Sequence, residues 1–201
     1  MTETLSSAPH VLRDAPATVA AGGSTTAYGN PFIRGDTTPV TFPNGAVGNY
    51  STVTIGTGHG VLIVPTADGV AGIPGTSYGL LAVHRFPVSA TLLEFPRGGA
   101  DAGEGYLTAA IREAVEELGP YWARADYRRL GLLHPDSGLL TTQVAVYAAH
   151  LEHAPAAGHI EDITGATQVW IPAGQLTELI TGGRISDAMT LAALALASCG
   201  R

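Results

Sequence analysis

"EFPRGGADAGEGYLTAAIREAVEELG", Glu94 to Gly119, gathers acids and two arginines among glycines and small apolar residues, in a chain that is only 13% charged overall. Its second half has a helical period. Leu107, Ala110, Ile111, Ala114, Val115 and Leu118 fall at i, i+3, i+4, i+7, i+8 and i+11, which predicts one buried face of a helix ended by Gly119 and Pro120. On that helix Glu113, Glu116 and Glu117 fall at i, i+3 and i+4, so the three carboxylates share a face that the sequence places opposite the apolar stripe. Like charges at this spacing repel by about a few tenths of a kcal/mol per pair, and no lysine is interleaved to offset them. A solvated helix face accounts for a Glu-Glu pair. A hard divalent cation accounts for the whole cluster, because Mg²⁺ takes oxygen ligands and binds through one or two carboxylates plus substrate phosphates.

Outward from this stretch, short β-prone pieces alternate with turn residues. Upstream are "PVTF" before "PNGAVG", "YSTVTI" before "GTGHG", "VLIVPT" before "ADGVAGIPG", then "YGLLAVHRF" and "TLLEF". Downstream are "RRLGLLH", "TTQVAVYAAHL" and, after a loop from Ala154 to about Gly165, "ATQVWI". Two helical patterns, "AGQLTELITG" and "SDAMTLAALALA", close the chain, with Ser186 or Asp187 as the N-cap of the last. Residues 1–29 mix Ala, Ser, Thr, Gly and Pro without a period and read as a tail that is mobile in part. Residues 30–56 form an N-terminal β segment, and 57–201 the main domain. The order predicts an α/β fold, a mixed sheet with helices on its faces.

Composition removes several function classes. The net charge is −7 and all ten basic residues are arginines, so a nucleic-acid backbone meets no basic stripe. The single cysteine, Cys199, excludes an internal disulfide and fits a reducing compartment. The N-terminal residues carry Glu3 and no apolar run of the secretory type. The longest apolar run, "LAALALA" from Leu191, falls well short of the ~18 residues that span a membrane. The expectation is a cytoplasmic protein with neither nucleic-acid nor membrane partners.

Gly98, Glu104, Arg112, Glu113, Ala114, Glu116, Glu117 and Gly119 reproduce at matching spacing a signature of eight constrained positions. It resembles that of the Nudix hydrolases: Gly, five residues, Glu, seven residues, Arg-Glu, an aliphatic residue, any residue, Glu-Glu, any residue, Gly. Pro120 stands where the family has a final aliphatic residue. The resemblance implies a Nudix α/β/α sandwich with a mixed sheet. It also implies Mg²⁺-dependent, or Mn²⁺-dependent, hydrolysis of the diphosphate linkage of a nucleoside diphosphate derivative. Carried over by position, Glu113 and Glu117 are the principal metal ligands, Glu116 an accessory one, and the backbone carbonyl of Arg97 a further one. Glu104 and Arg112 pair to hold the glycine-rich loop against the helix, or Arg112 clamps a phosphate.

From about Asn30 to Leu196 the chain is most similar to the ADP-ribose and nucleotide-sugar pyrophosphatases. That likeness implies a homodimer in which strands from about Pro31 to Ile55 reach the partner's site. Arg85 takes the place of an arginine that contacts substrate, with Arg97 facing a phosphate. His84 replaces an aromatic residue and either stacks on a base or is structural. Pro135 stands at a marker position of the ADP-ribose hydrolases, but "HPDSGLL" inserts Asp136 and Ser137 before Gly138, and a tight turn explains it equally. The loop "AAGHIEDITGA" aligns with a stretch that supplies a general base, giving Glu161 first, with His159 and Asp162 behind it. His150 and His153 read as surface residues. Two alternatives remain: a Nudix-fold sensor that binds ADP-ribose-like nucleotides without turnover, and a hydrolase of dinucleoside polyphosphates or coenzyme A.

Overall fold

Alternation along the central strands builds two buried faces, which the chain covers with helices on both sides. The computed structural model describes residues 16–70, 74–153 and 165–199. Four strands, β1 (Val19–Ala20), β2 (Thr25–Gly29), β3 (Ile33–Thr41) and β4 (Val47–Ile55), form an antiparallel sheet. Strands β1 and β2 pair end to end along one edge of β3, and β4 pairs along the other. Thus β1 and β2 fall inside the stretch that the sequence reads as a tail to Gly29. Thr25, Thr26 and Tyr28 are β-compatible residues whose pairing with Thr37 to Gly35 of β3 is invisible to periodicity.

The second sheet has seven strands: β5 (His59–Asp68), β6 (Thr76–Arg85), β7 (Ala90–Glu94), β8 (Arg97–Gly99), β9 (Asp126–Leu133), β10 (Gln143–Leu151) and β11 (Thr167–Pro172). Its path runs β11, β6, β5, β10, β9, with β5 and β10 parallel and the other neighbours antiparallel. Strands β5 and β6 pair only over Thr66 to Asp68 and Thr76 to Tyr78. Where they diverge, β7 pairs with β6 and β8 with β5, and the Ile63 amide donates to the Pro96 carbonyl at 2.9 Å across the join. This opening carries the first glycine of the motif.

Odd residues of β5, Val61 and Ile63, pack with Leu81, Val83 and Tyr147 under α1 (Tyr106–Leu118). Even ones, Leu62 and Val64, pack with Leu80, Val146 and Ile185 on the face of α2 (Leu176–Thr181) and α3 (Ala188–Cys199). Burial on both faces explains why these strands read as nearly continuous apolar runs. Gly119 ends α1 at φ 103°, a conformation that favours glycine, and its amide donates to Val115 O at 3.0 Å. The short turn that follows, opened by Pro120, buries Trp122 in a stack on Trp170 with centroids 6.3 Å apart. Among the described residues no helix is long and apolar enough to cross a membrane.

The helix face differs from its expected orientation. Leu107 is 45% exposed. The buried residues of α1 are Ala109, Ala110, Glu113, Ala114 and Leu118. The carboxylates are therefore not opposite the apolar stripe, because Glu113 belongs to the buried face. Small residues make the contact: α1 lies on β5 and β8, where Ala109, Ala110 and Ala114 pack in one cluster with Ala100 and Val61.

Candidate active site

The site is a cleft of about 790 Å³ between the opening in the second sheet, the turn from Ile55 to His59 and the loop around Pro135. Gly98, Arg112 and Glu113 form one wall, with Arg85 and Arg97 beside them. A side chain at Gly98 would fall on the Glu113 carboxylate, so glycine at 98 is the space in which Glu113 lies. Burial pushes the Glu113 carboxyl above the usual carboxylate range, and the hydrogen bond from Arg112 opposes that rise.

Arg112 spends all five N–H groups locally. Nε and Nη2 hold Glu104 at 3.2 and 3.0 Å, Nη2 also donates to Gly99 O at 2.8 Å, and Nη1 reaches Glu113 at 2.8 Å and Glu116 at 3.3 Å. The forked pairing, with help from the Asp101 amide, keeps Glu104 below its ordinary pKa. It also ties the loop Gly99–Glu104 to α1. The geometry puts Arg112 in the pairing position that the sequence reading offered as one of two alternatives.

Glu117 turns to the residue before Gly98. Its Oε2 accepts the Arg97 backbone N–H at 3.0 Å, and it lines a separate recess of about 60 Å³ with Arg85, Glu94 and Arg97. Glu116 stays 55% exposed in its side chain. The three glutamates thus do not converge on one point, and among the described residues no group of three or more His, Cys, Asp or Glu is set to hold a metal ion. Arg112 Nη1 draws Glu113 and Glu116 to one nitrogen, whereas Glu117 turns to the Arg97 amide. The donors still fit a hard divalent cation in kind: they are carboxylate oxygens, one of them buried against a glycine, with a strand backbone alongside.

Both substrate-contact candidates are engaged. Arg85 grips Glu94 through Nε at 3.0 Å and Nη2 at 2.6 Å, which raises the Arg85 pKa. Arg97 meets Glu94 at 2.7 Å and both oxygens of Asp187 at 3.1 Å. Glu94, 1% exposed, is the buried centre of this network, a role that its place in "EFPRGG" did not reveal. His84 is exposed. His150 accompanies Thr66 at 3.0 Å and Asp68 at 3.8 Å, away from the cleft lining. Pro135 lines the cleft, and the turn after it is closed by Asp136, whose Oδ1 accepts the Gly138 amide at 3.1 Å. His59, which the sequence reading passed over, also lines the cleft, its Nδ1 2.8 Å from the Tyr106 hydroxyl. His159, Glu161 and Asp162 lie outside the described residues.

A carboxylate-bearing helix against a glycine strand, in an α/β/α sandwich, defines a class: an α/β enzyme whose described cleft lining holds carboxylates and no serine or cysteine. The NUDIX domain family matches residues 64–193, and the chain belongs to the Nudix family as a hydrolase. A solved structure described as an ADP compounds hydrolase superposes with a TM-score of 0.73 at 20% identity, over 92% of this chain and 95% of that one. No curated protein matches the chain in sequence. Nudix hydrolases generally use divalent metals such as Mg²⁺.

Proposed function

We propose that this chain hydrolyses the diphosphate linkage of an ADP-ribose-like compound, ADP-ribose itself or a nucleotide sugar, with Mg²⁺ or Mn²⁺. One observation carries the cation requirement: Arg85, Arg97 and Arg112 are each already paired with carboxylates. A diphosphate entering beside them meets more acid than base. A divalent cation, when bound, supplies the missing positive charge and polarises a phosphoryl oxygen. Glu113 and Glu117 would hold it, with Glu116 and the Arg97 carbonyl as further donors. The chain's own residues do the rest: Arg112 fixes the loop, and Arg85, the more exposed of the two arginines on Glu94, offers its outer edge to a phosphate. The cleft volume falls in the ~300–1,000 Å³ range of small-molecule sites, and the fold neighbour named for ADP compounds supports an adenosine diphosphate substrate.

Product analysis on ADP-ribose, sugar nucleotides, NADH and diadenosine polyphosphates tests this. AMP and ribose 5-phosphate from ADP-ribose, formed only with the cation, are the expected result. Binding without turnover of any of them makes the chain a sensor instead.

We also assign the general base to Glu161. Glu161→Gln should then remove most of kcat, while His159→Ala keeps the acid limb of the pH profile. An acid limb near the free histidine value of ~6.5 that disappears in His159→Ala reverses the assignment.

A homodimer through the four-stranded sheet completes the proposal. Among the described residues of β1 to β4 only Val40 is buried, while Tyr28, Val47 and, just before β3, Phe32 are exposed. A sheet with so little core of its own needs an apolar partner. Light scattering should give twice the chain mass, and a fully active monomer at assay concentration removes this part.

A further inference from the structure

We infer that Asp187 is a positioning residue: through the Arg97 side chain it fixes the strand amide that orients the Glu117 carboxylate. The inference rests on the reading of Glu117 as a cation ligand. The path is continuous. Asp187 precedes α3, and its Oδ2 accepts both the Thr190 amide and the Thr190 hydroxyl at 2.8 Å. That hydroxyl is fully buried and accepts the Phe95 amide at 3.0 Å. Both Asp187 oxygens hold Arg97 Nη1 at 3.1 Å, and Glu94 holds Nη2 at 2.7 Å. The start of α3 therefore grips the chain where β7 gives way to β8 at two points, Phe95 in the join and Arg97 at the head of β8. From the same Arg97, the backbone N–H donates to Glu117 Oε2 at 3.0 Å.

Capping alone does not call for this residue. Asn and Ser cap a helix as well as Asp does, because an N-cap needs only a side-chain oxygen. What Asp adds is a charge, in a side chain 13% exposed, facing an arginine whose other partner is the buried Glu94. Between two carboxylates, Arg97 is neutralised and turned inward. It serves the strand that presents Gly98 and the Glu117 partner, and the substrate's phosphates meet Arg85 instead.

Asp187→Asn keeps the cap and removes the charge, so the thermal midpoint should stay close to wild type. Mn²⁺ binding to the substrate-free protein, followed by the EPR signal of free Mn²⁺, should weaken about tenfold or more, the usual scale for residues that orient ligands. KM for ADP-ribose should be unchanged and kcat should recover at saturating Mn²⁺. Asp187→Ser, a second capping residue, and Arg97→Met, which keeps the amide, should weaken Mn²⁺ binding in the same way. A raised KM with wild-type Mn²⁺ binding in Arg97→Met makes Arg97 a substrate ligand and overturns the inference. Glu117→Gln is measured alongside: if it binds Mn²⁺ like wild type, the reading of Glu117 falls and the inference with it. If Glu117→Gln loses Mn²⁺ while Asp187→Asn does not, the inference alone falls.

Discussion

Glu117→Gln will lower kcat about 100-fold or more, a barrier increase of ~2.7 kcal/mol, while leaving the fold in place. The two halves of this expectation have separate causes. The amide oxygen of glutamine can still accept the Arg97 N–H that Glu117 accepts at 3.0 Å, so strand β8 and helix α1 keep their link. The substitution is nearly isosteric, and the recess lined by Leu81, Val83 and Phe95 keeps its packing. What is lost is the negative charge, and a hard cation discriminates sharply between a carboxylate and an amide. Steady-state kinetics across a Mg²⁺ series, with thermal melting of the same sample, check both halves. Wild-type turnover in Glu117→Gln moves the cation elsewhere in the cleft.

The helix that carries Glu113, Glu116 and Glu117 was legible in the sequence, because its period fixes the relative directions of residues three and four apart, but the separation of the three carboxylates was not. Short apolar runs bounded by turn residues likewise identified β5, β6, β10 and β11, because both faces of that sheet are buried. The rotation of α1 was not legible. Hydrophobicity favoured Leu107 over Ala109 for the buried face, whereas the helix packs there through Ala109, Ala110 and Ala114, with Glu113 in the space that Gly98 leaves.

Nonlocal pairing hid the rest. Asp187 and Arg97 are 90 positions apart, and Phe95 and Thr190 are 95 apart, so their bonds leave no periodic trace. The sequence offered Ser186 or Asp187 as a cap and stopped there. His59 likewise entered the cleft through its bond to Tyr106, 47 positions on. The base candidates 159, 161 and 162 rest on position within a loop that no helix or strand period constrains.

Gly98→Ala will cost activity heavily while sparing stability, and Gly99→Ala, one residue away, will leave both near wild type. A Cβ at 98 occupies the volume of the Glu113 carboxylate, so one of the two must move. The mobile partner is the end of a flexible side chain, and Gly98 does not have a positive φ, so the backbone accepts alanine without strain. The displaced carboxylate, however, leaves the place where it meets both Arg112 and the cleft. A loss of kcat of about 100-fold is the scale of a ligand moved out of reach, whether by charge or by position. At Gly99 a Cβ meets nothing within 4 Å, and the bond from Arg112 to its carbonyl uses backbone alone. Activity there should stay within about twofold of wild type, as for a surface change that touches no special feature. Equal damage from both alanines assigns the effect to the glycine-rich loop as a whole. Damage at 98 alone, with an unchanged melting temperature, assigns it to the seat of Glu113.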